Sequence, residues 1–219
     1  MITTDLFADA ALPLKPRDER LCEGAVVLRA FALEHDAALL QAIHDITAQA
    51  PFRHLLTPGG LRMSVAMTNA GALGWVSDRR GYRYARRDPQ SGEPWPSMPA
   101  VFLQLATAAA ARAGFADFMP DACLVNRYEV GTRLSLHQDR DEHDYAHPIV
   151  SVSLGVPAVF LFGGLQRTDL TQHVPLAHGD VVVWGGPARQ HYHGVAPIKL
   201  AHHPLLGDIR INLTFRRAG

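Results

Sequence analysis

Cysteine is scarce in this chain: Cys22 and Cys123 are the only two among 219 residues. They form no C-x-x-C pair, which argues against a disulfide framework or a zinc ribbon and makes the reducing cytoplasm the expected location. No apolar run approaches the roughly 18 residues that a membrane span needs. The opening "MITTDLFADAALPLKP" lacks a basic start followed by an apolar stretch, so it does not read as a signal peptide. Charge of one sign is not in excess either. The 21 basic and 21 acidic residues cancel, so there is no global signal for a polyanionic partner. Internal repeats and low-complexity linkers are missing as well. What remains is ordinary globular composition, 47 % hydrophobic and 19 % charged, at a length that can bury the core of one large domain.

Residues 1–20 read as a weakly anchored arm and 21–219 as a single domain. "AVVLRAF" is a short strand. "EHDAALLQAIHDITAQA" is a helix with Leu39, Leu40, Ile43, Ile46 and Thr47 on one stripe, closed by Pro51. "TPGG" is a turn and "SVAMT" a short strand. A long loop rich in Gly, Arg, Tyr and Pro then runs from Asn69 to Pro99, and loops of that length usually carry function or are disordered. "PAVFLQLATAAAARAG" is a second helix, with Pro99 at its start and Gly114 as its stop. From residue 122 the character changes. "ACLVNRY", "LSLHQ", "IVSVSLG", "AVFLFGG", "HVPL", "VVVWGG", "HYHGV" and "RINLTFR" are short β-type segments separated by Gly, Pro and Asp turns. Many short strands behind two helices predict a mainly β fold with flanking helices, a double-sheet jelly roll over about 122–219.

Three stretches carry chemistry. In "SLHQDRDEHD", His137, Asp139, Asp141, His143 and Asp144 crowd into a few positions, either as a solvated loop or as half of a site. On a strand, residues two apart face the same way, so His137 and Asp139 point together. A third ligand from another strand would complete the two-histidine, one-carboxylate face of non-haem Fe(II) oxygenases, which leaves coordination positions open for a co-substrate and O2. His191 and His193 in "RQHYHGV" are both candidates, with His173 and His178 nearby, and periodicity does not choose between them. His35, His44, His54, His143, His147, His202 and His203 read as surface or hydrogen-bonded histidines.

The second stretch is "RINLTFR". It alternates Arg210, Asn212, Thr214 and Arg216 on one face with Ile211, Leu213 and Phe215 on the other. Two inward arginines would be costly to bury unpaired, and a dicarboxylate such as 2-oxoglutarate removes that cost through forked guanidinium–carboxylate pairs. The polar outer face of an edge strand is the competing reading. The third is "DRRGYRYARRD", where arginines interleave with Tyr82 and Tyr84. That pattern suits a single-stranded nucleic-acid surface, in which cations hold phosphates and rings stack on bases, although a solvated loop has the same composition.

The chain resembles the AlkB family of Fe(II)- and 2-oxoglutarate-dependent dioxygenases along nearly its whole length. The resemblance is carried by "DLFADA", "APFRHLLTPGG", "MSVAMTN", "LGW", "PDACLVNRY", "LSLHQD", "PIVSVSLG", "FGGL", "HGDVVVWGG", "YHG" and "NLTFR". It implies the double-stranded β-helix core of these oxygenases, with a nucleotide-recognition lid over about 51–98. It implies oxidative demethylation of N-alkylated bases, of the 1-methyladenine and 3-methylcytosine type, in single-stranded or duplex DNA and also in RNA, with Fe(II) as cofactor and 2-oxoglutarate and O2 as co-substrates. The iron ligands would be His137, Asp139 and His193. Asn126 and Tyr128 would donate hydrogen bonds to 2-oxoglutarate, while Arg210 and Arg216 clamp its carboxylates with help from Asn212. Trp75 would stack on the flipped base opposite His137, and Tyr82 would contact the nucleotide backbone. Asp141 would approach the exocyclic nitrogen, Arg167 would line the pocket, and Thr57 and Met67 would add wall or backbone contacts. The enzyme would act as a monomer. Leu61 departs from the founding member of the family, which has a tyrosine there, and Arg140 stands where a lysine is expected. Two rivals remain: a 2-oxoglutarate-dependent hydroxylase of a small molecule or protein side chain, and a metal-free β-sandwich binding module.

Overall fold

The computed structural model describes residues 17–219. Most of the expected N-terminal arm lies outside the described residues. Its last part belongs instead to a strand, β1 (Arg17–Cys22), which forms a hairpin with β2 (Ala25–Arg29). Glu19 anchors it by an ion pair to the buried Arg29 at 2.8 Å.

The first helix, α1 (Asp36–Gln49), buries Leu39, Ala42, Ile43 and Ile46. Leu40 and Thr47, expected on the inner stripe, are only half-buried, and Ala42 takes their place. Helix α2 (Ala100–Arg112) starts after Pro99 and ends before Gly114, whose φ of 93° reverses the chain. The long loop expected from Asn69 to Pro99 holds more structure than its composition suggested. Asn69 lies in β3 (Ala66–Gly71), and a hairpin follows, β4 (Gly74–Asp78) against β5 (Gly81–Ala85). Trp75, Val76, Tyr82 and Tyr84 favour strands, and Gly81 at φ 109° accepts the turn after Arg79 and Arg80. The surrounding arginines had hidden the alternation.

The remaining strands are β6 (Ala122–Tyr128), β7 (Leu134–His137), β8 (Ile149–Gly155), β9 (Ala158–Phe162), β10 (Gln172–Leu176), β11 (Val181–Trp184), β12 (His193–Val195) and β13 (Arg210–Arg216). They assemble, with the first three, into a seven-stranded sheet ordered β1-β2-β11-β8-β13-β6-β3, facing a four-stranded sheet ordered β10-β9-β12-β7. Pairing is antiparallel throughout. This is a double-stranded β-helix with helices on one outer face, as the segment pattern predicted. The expected strand "HYHGV" is shorter than its sequence pattern. It begins at His193, because a 3-10 turn over Gly186–Ala188 carries the chain to His191, whose N–H bonds to Ala188 O at 3.0 Å.

Strand β13 is central, flanked by β8 and β6 along its whole length, which rules out an edge strand. Its alternation divides the domain. Ile211, Leu213 and Phe215 join the core under the helices, with Phe102, Leu105, Ile43, Val152 and Val183. Each such side chain contributes about 1.5–3 kcal/mol by leaving water. Arg210, Asn212, Thr214 and Arg216 point the other way and are buried too. A second core, with Phe160, Phe162, Val174, Val182 and Trp184, closes the far end between the sheets. The polar face of β13 therefore lines the mouth left between the two sheets.

Candidate active site

Strands β7 and β12 pair so that His137 and His193 stand opposite each other, with ring centroids 4.4 Å apart. Gly194 makes this pairing close, since a Cβ there would lie 2.6 Å from Leu134 O. Asp139 follows immediately after β7. Its Oδ1 lies 3.5 Å from His137 Nε2 and 3.8 Å from His193 Nε2. Ligand atoms of the three residues all fall within 4.8 Å of one another, the only such group of His, Cys, Asp and Glu found among the described residues. His191 is not in it. Its ring packs on Phe162, with centroids 5.2 Å apart.

The tautomers follow from the backbone. His137 Nδ1 is 2.9 Å from Ser135 O, and His193 Nδ1 is 3.0 Å from His191 O. A carbonyl only accepts, so each Nδ1 donates its proton and each Nε2 presents a lone pair to the centre. Burial, followed by the neighbouring His137, pushes the pKa of His193 down to about 3. His193 is thus neutral at physiological pH and available as a ligand. Burial also opposes protonation of His137, but the hydrogen bond and charge of Asp139 outweigh it and raise that pKa. Burial would raise the pKa of Asp139, yet the Arg216 guanidinium and both histidines hold its carboxyl well below the usual range.

The two inward arginines turn out to be in different states. Arg216 is already engaged: Nη2 lies 2.6 Å and Nε 2.8 Å from Asp139 Oδ2. That fork leaves Oδ1 for the centre. Arg210 is buried beside the Tyr128 ring, with its guanidinium carbon 5.0 Å from the centroid. It donates once, from Nη2 to Ser153 Oγ at 3.0 Å, and its Nε and Nη1 have no partner. A buried cation with open donors calls for an anion, and a carboxylate matches the fork. Asn212 donates to Ser151 Oγ at 2.8 Å and Val152 O at 3.0 Å. Asn126, expected as a donor, directs Nδ2 to Asn212 Oδ1 at 3.3 Å and leaves Oδ1 buried and open.

Every residue to which the family resemblance gives a site role lines one cavity of about 620 Å³, whereas His191, His173 and His178 do not. Its outer wall is the β4–β5 hairpin together with Thr57 and Met67. Trp75 and Tyr82 stack on each other, with centroids 5.5 Å apart and planes 14° from parallel. Trp75 Nε1 donates to Asp141 Oδ2 at 2.7 Å, and both backbone groups of Trp75 are held by the Asn69 amide at 3.0 Å. Arg167 leans over Tyr192 at 5.3 Å. Of the arginines around the hairpin, Arg83 is tied to Asp78 at 2.8 Å, and this hydrogen bond takes the Asp78 pKa down to about 2. Arg79 and Arg80, in the hairpin turn, and Arg86, just after β5, are exposed.

Sequence reasoning missed several residues. Glu142 sits inside the charged run but is buried, with Arg216 Nε 3.2 Å and Arg189 Nη2 3.1 Å away. Arg189 is buried and Tyr84 half-buried, and Tyr84 donates to Glu142 Oε1 at 2.8 Å. No local pattern marks them, because their partners lie far away in sequence.

Two imidazoles and one carboxylate, gathered on a double-stranded β-helix beside an arginine that lacks an anion, fit Fe(II) and 2-oxoglutarate. They define a ferrous, 2-oxoacid-dependent oxygenase. Comparison with known proteins agrees. The 2OG-Fe(II) oxygenase superfamily matches residues 24–216. The alpha-ketoglutarate-dependent dioxygenase AlkB of Salmonella typhimurium is 58% identical over 214 residues, covering 98% of this chain and 97% of the relative. That of Escherichia coli is 56% identical over 215 residues, covering 98% of each. The solved structure of OsALKBH1 superposes with a TM-score of 0.81 at 30% identity, covering 92% of this chain and all of that one. The chain belongs to the 2OG-Fe(II) oxygenase superfamily and, within it, to the AlkB family. It is an Fe(II)- and 2-oxoglutarate-dependent dioxygenase.

Proposed function

We propose that the protein repairs N-alkylated bases in nucleic acid by oxidative dealkylation. The preferred substrate is single-stranded DNA carrying 1-methyladenine or 3-methylcytosine, with RNA as a further substrate. The observation that carries this reading is the aromatic wall. Trp75 lines the same cavity as the His-Asp-His group and is held there by Asp141. A base that reacts on its Watson–Crick edge must leave the stack, and a flipped base needs an aromatic face. The exposed arginines of the hairpin supply the cations that a phosphate backbone requires. A small-molecule hydroxylase would need neither.

When bound, Fe(II) with 2-oxoglutarate and O2 supplies the oxidation, giving succinate, carbon dioxide and a hydroxylated alkyl carbon that leaves as formaldehyde. The chain does the positioning. His137 and His193 offer Nε2 while their Nδ1–H groups stay on carbonyls. Arg216 orients Asp139 by holding Oδ2. Arg210 takes the distal carboxylate of 2-oxoglutarate, and Asn126, Tyr128 and Asn212 shape the bed around it. Because Arg216 is committed to Asp139, we assign the carboxylate clamp mainly to Arg210. Trp75 and His137 bracket the base, Asp141 faces its exocyclic edge, and Tyr82, Thr57 and Met67 complete the wall, with Arg167 at the rim. One chain contains every group named, which supports a monomeric enzyme, and we place it in the cytoplasm. No helix among the described residues is long and apolar enough to cross a membrane.

The test is mass spectrometry of a 1-methyladenine oligonucleotide incubated with Fe(II)-reconstituted protein, with and without 2-oxoglutarate. Loss of the methyl group only when 2-oxoglutarate is present is expected. Succinate production with no change in any methylated oligonucleotide would point to the small-molecule alternative.

A further inference from the structure

The buried network around Glu142 has no part in the chemistry above, yet it joins two pieces of the enzyme that must act together. One end is the candidate metal ligand. Asp139 Oδ2 is forked by Arg216, whose Nε lies 2.8 Å from it. The same Nε is 3.2 Å from Glu142 Oε1. The other end is the hairpin over the cavity, where Tyr84 on β5 donates its hydroxyl to that same Oε1 at 2.8 Å. Arg189 forms an ion pair on the other side, with Nη2 3.1 Å from Oε2, an oxygen that accepts no hydrogen bond, and donates from Nη1 to Asp139 O at 3.3 Å. The carboxylate is buried, so water does not dissipate these contacts.

Two features make the arrangement more than packing. The first is charge. Two carboxylates face two guanidiniums, and a cation at Asp139 Oδ1 would compete with Arg216 for the charge of that carboxylate. The second is topology. Among the hairpin side chains described, Tyr84 is the one bonded to this network, while Trp75 bonds instead to Asp141. Ordering one end of a buried chain of hydrogen bonds and ion pairs lowers the cost of ordering the other.

We propose that Glu142 is a positioning residue that couples the β4–β5 hairpin to the metal ligand Asp139 through Arg216, with the Tyr84 hydroxyl as the hairpin's contact. Filling the metal site thereby tightens the wall against which the base packs. A well-placed hairpin in turn favours the productive orientation of Asp139, because coupling between sites is reciprocal. This rests on the functional reading only in taking the hairpin as the substrate wall. The coupling itself needs no nucleic acid.

The experiment is amide hydrogen exchange of the hairpin with and without Co(II) alone, with Co(II) occupancy followed by its visible absorption. Wild type, Tyr84→Phe and Glu142→Gln are compared. In wild type, Co(II) should slow exchange across residues 74–85 by about fivefold or more. Tyr84→Phe keeps the ring and β5, so it should still bind Co(II) while losing that dependence. Glu142→Gln should behave in the same way. A purely structural Tyr84 would speed exchange equally with and without metal and leave the ratio intact. That outcome, or a wild-type hairpin indifferent to Co(II), overturns the proposal. Absence of demethylation in the oligonucleotide assay would instead strike the functional reading and leave this coupling standing.

Discussion

Replacing Arg210 with methionine separates what the residue does for folding from what it does for co-substrate binding. In the metal-free protein the side chain is a buried cation with two open donors, Nε and Nη1, one bond to Ser153 and a ring contact with Tyr128. Burial depresses its pKa for the same reason. Each unsatisfied buried polar group costs about 1–3 kcal/mol, and a single neutral hydrogen bond contributes about 1 kcal/mol. Methionine has a similar length, fills the space and removes the open donors along with the Ser153 bond. Metal-free stability should therefore stay level or rise by up to about 2 kcal/mol. For a domain of this size, that is a melting temperature between unchanged and roughly 8 °C higher. Binding of 2-oxoglutarate should move in the opposite direction. Truncating one partner of a desolvated charge pair costs about 2–5 kcal/mol, or roughly 30-fold to 4,000-fold in affinity. Calorimetric titration of 2-oxoglutarate into the Mn(II)-loaded protein reads the second effect, and scanning calorimetry of the metal-free protein reads the first. A dissociation constant within twofold of wild type would refute the assignment of Arg210 to the carboxylate. Loss of stability with unchanged binding would make it a structural residue.

Other perturbations test the remaining parts of the site. His137→Ala, Asp139→Ala and His193→Ala should each abolish turnover and weaken Co(II) binding at least a hundredfold, whereas His191→Ala should retain the metal; a His193→Ala protein with normal Co(II) affinity would return His191 to contention. Gly194→Ala should cost metal affinity without touching a ligand, because its Cβ meets Leu134 O at 2.6 Å and forces β12 away from β7; unchanged Co(II) spectra would show that the register has slack. Asp141→Asn keeps size and removes charge, so kcat/KM should fall by about tenfold for cationic 1-methyladenine and 3-methylcytosine and less for neutral 1-methylguanine and 3-methylthymine; equal losses on all four would remove Asp141 from base recognition. Burial lowers the pKa values of His178 and His203, which stack 4.3 Å apart. Their folded values lie below the ordinary value of about 6.5, so the stability they support is complete above that pH and is lost as pH falls through the lowered values. His178→Asn keeps an acceptor for Gly155 N–H, which His178 Nδ1 holds at 2.9 Å, and should flatten the melting-temperature slope below pH 6.5; an unchanged slope would assign it to other groups.

Local pattern determined a good deal by itself. The period-two alternation of "RINLTFR" places Ile211, Leu213 and Phe215 in the core and the polar residues in the cavity, because a strand between two neighbours has two faces and only one of them met the helices. The H-x-D spacing kept His137, the last residue of β7, and Asp139, just beyond it, close together. Helix stops at Pro51 and Gly114 follow from backbone chemistry that acts within a few residues. Tertiary structure decided the rest, through contacts with no sequence period. The register His193↔His137, and the turn that takes His191 off the strand, put His193 in the metal group. Only the fold shows that Arg216 is committed to Asp139, 77 residues away in sequence, while Arg210 is left open. Glu142 looks like one more charge in a solvated run until Tyr84, Arg189 and Arg216 arrive from three other segments and take it out of water. Alternation and spacing are properties of a few neighbouring residues, and a sequence displays them directly. Ion pairing in a low-dielectric interior depends on which distant segments meet, and that is settled only when the two sheets close.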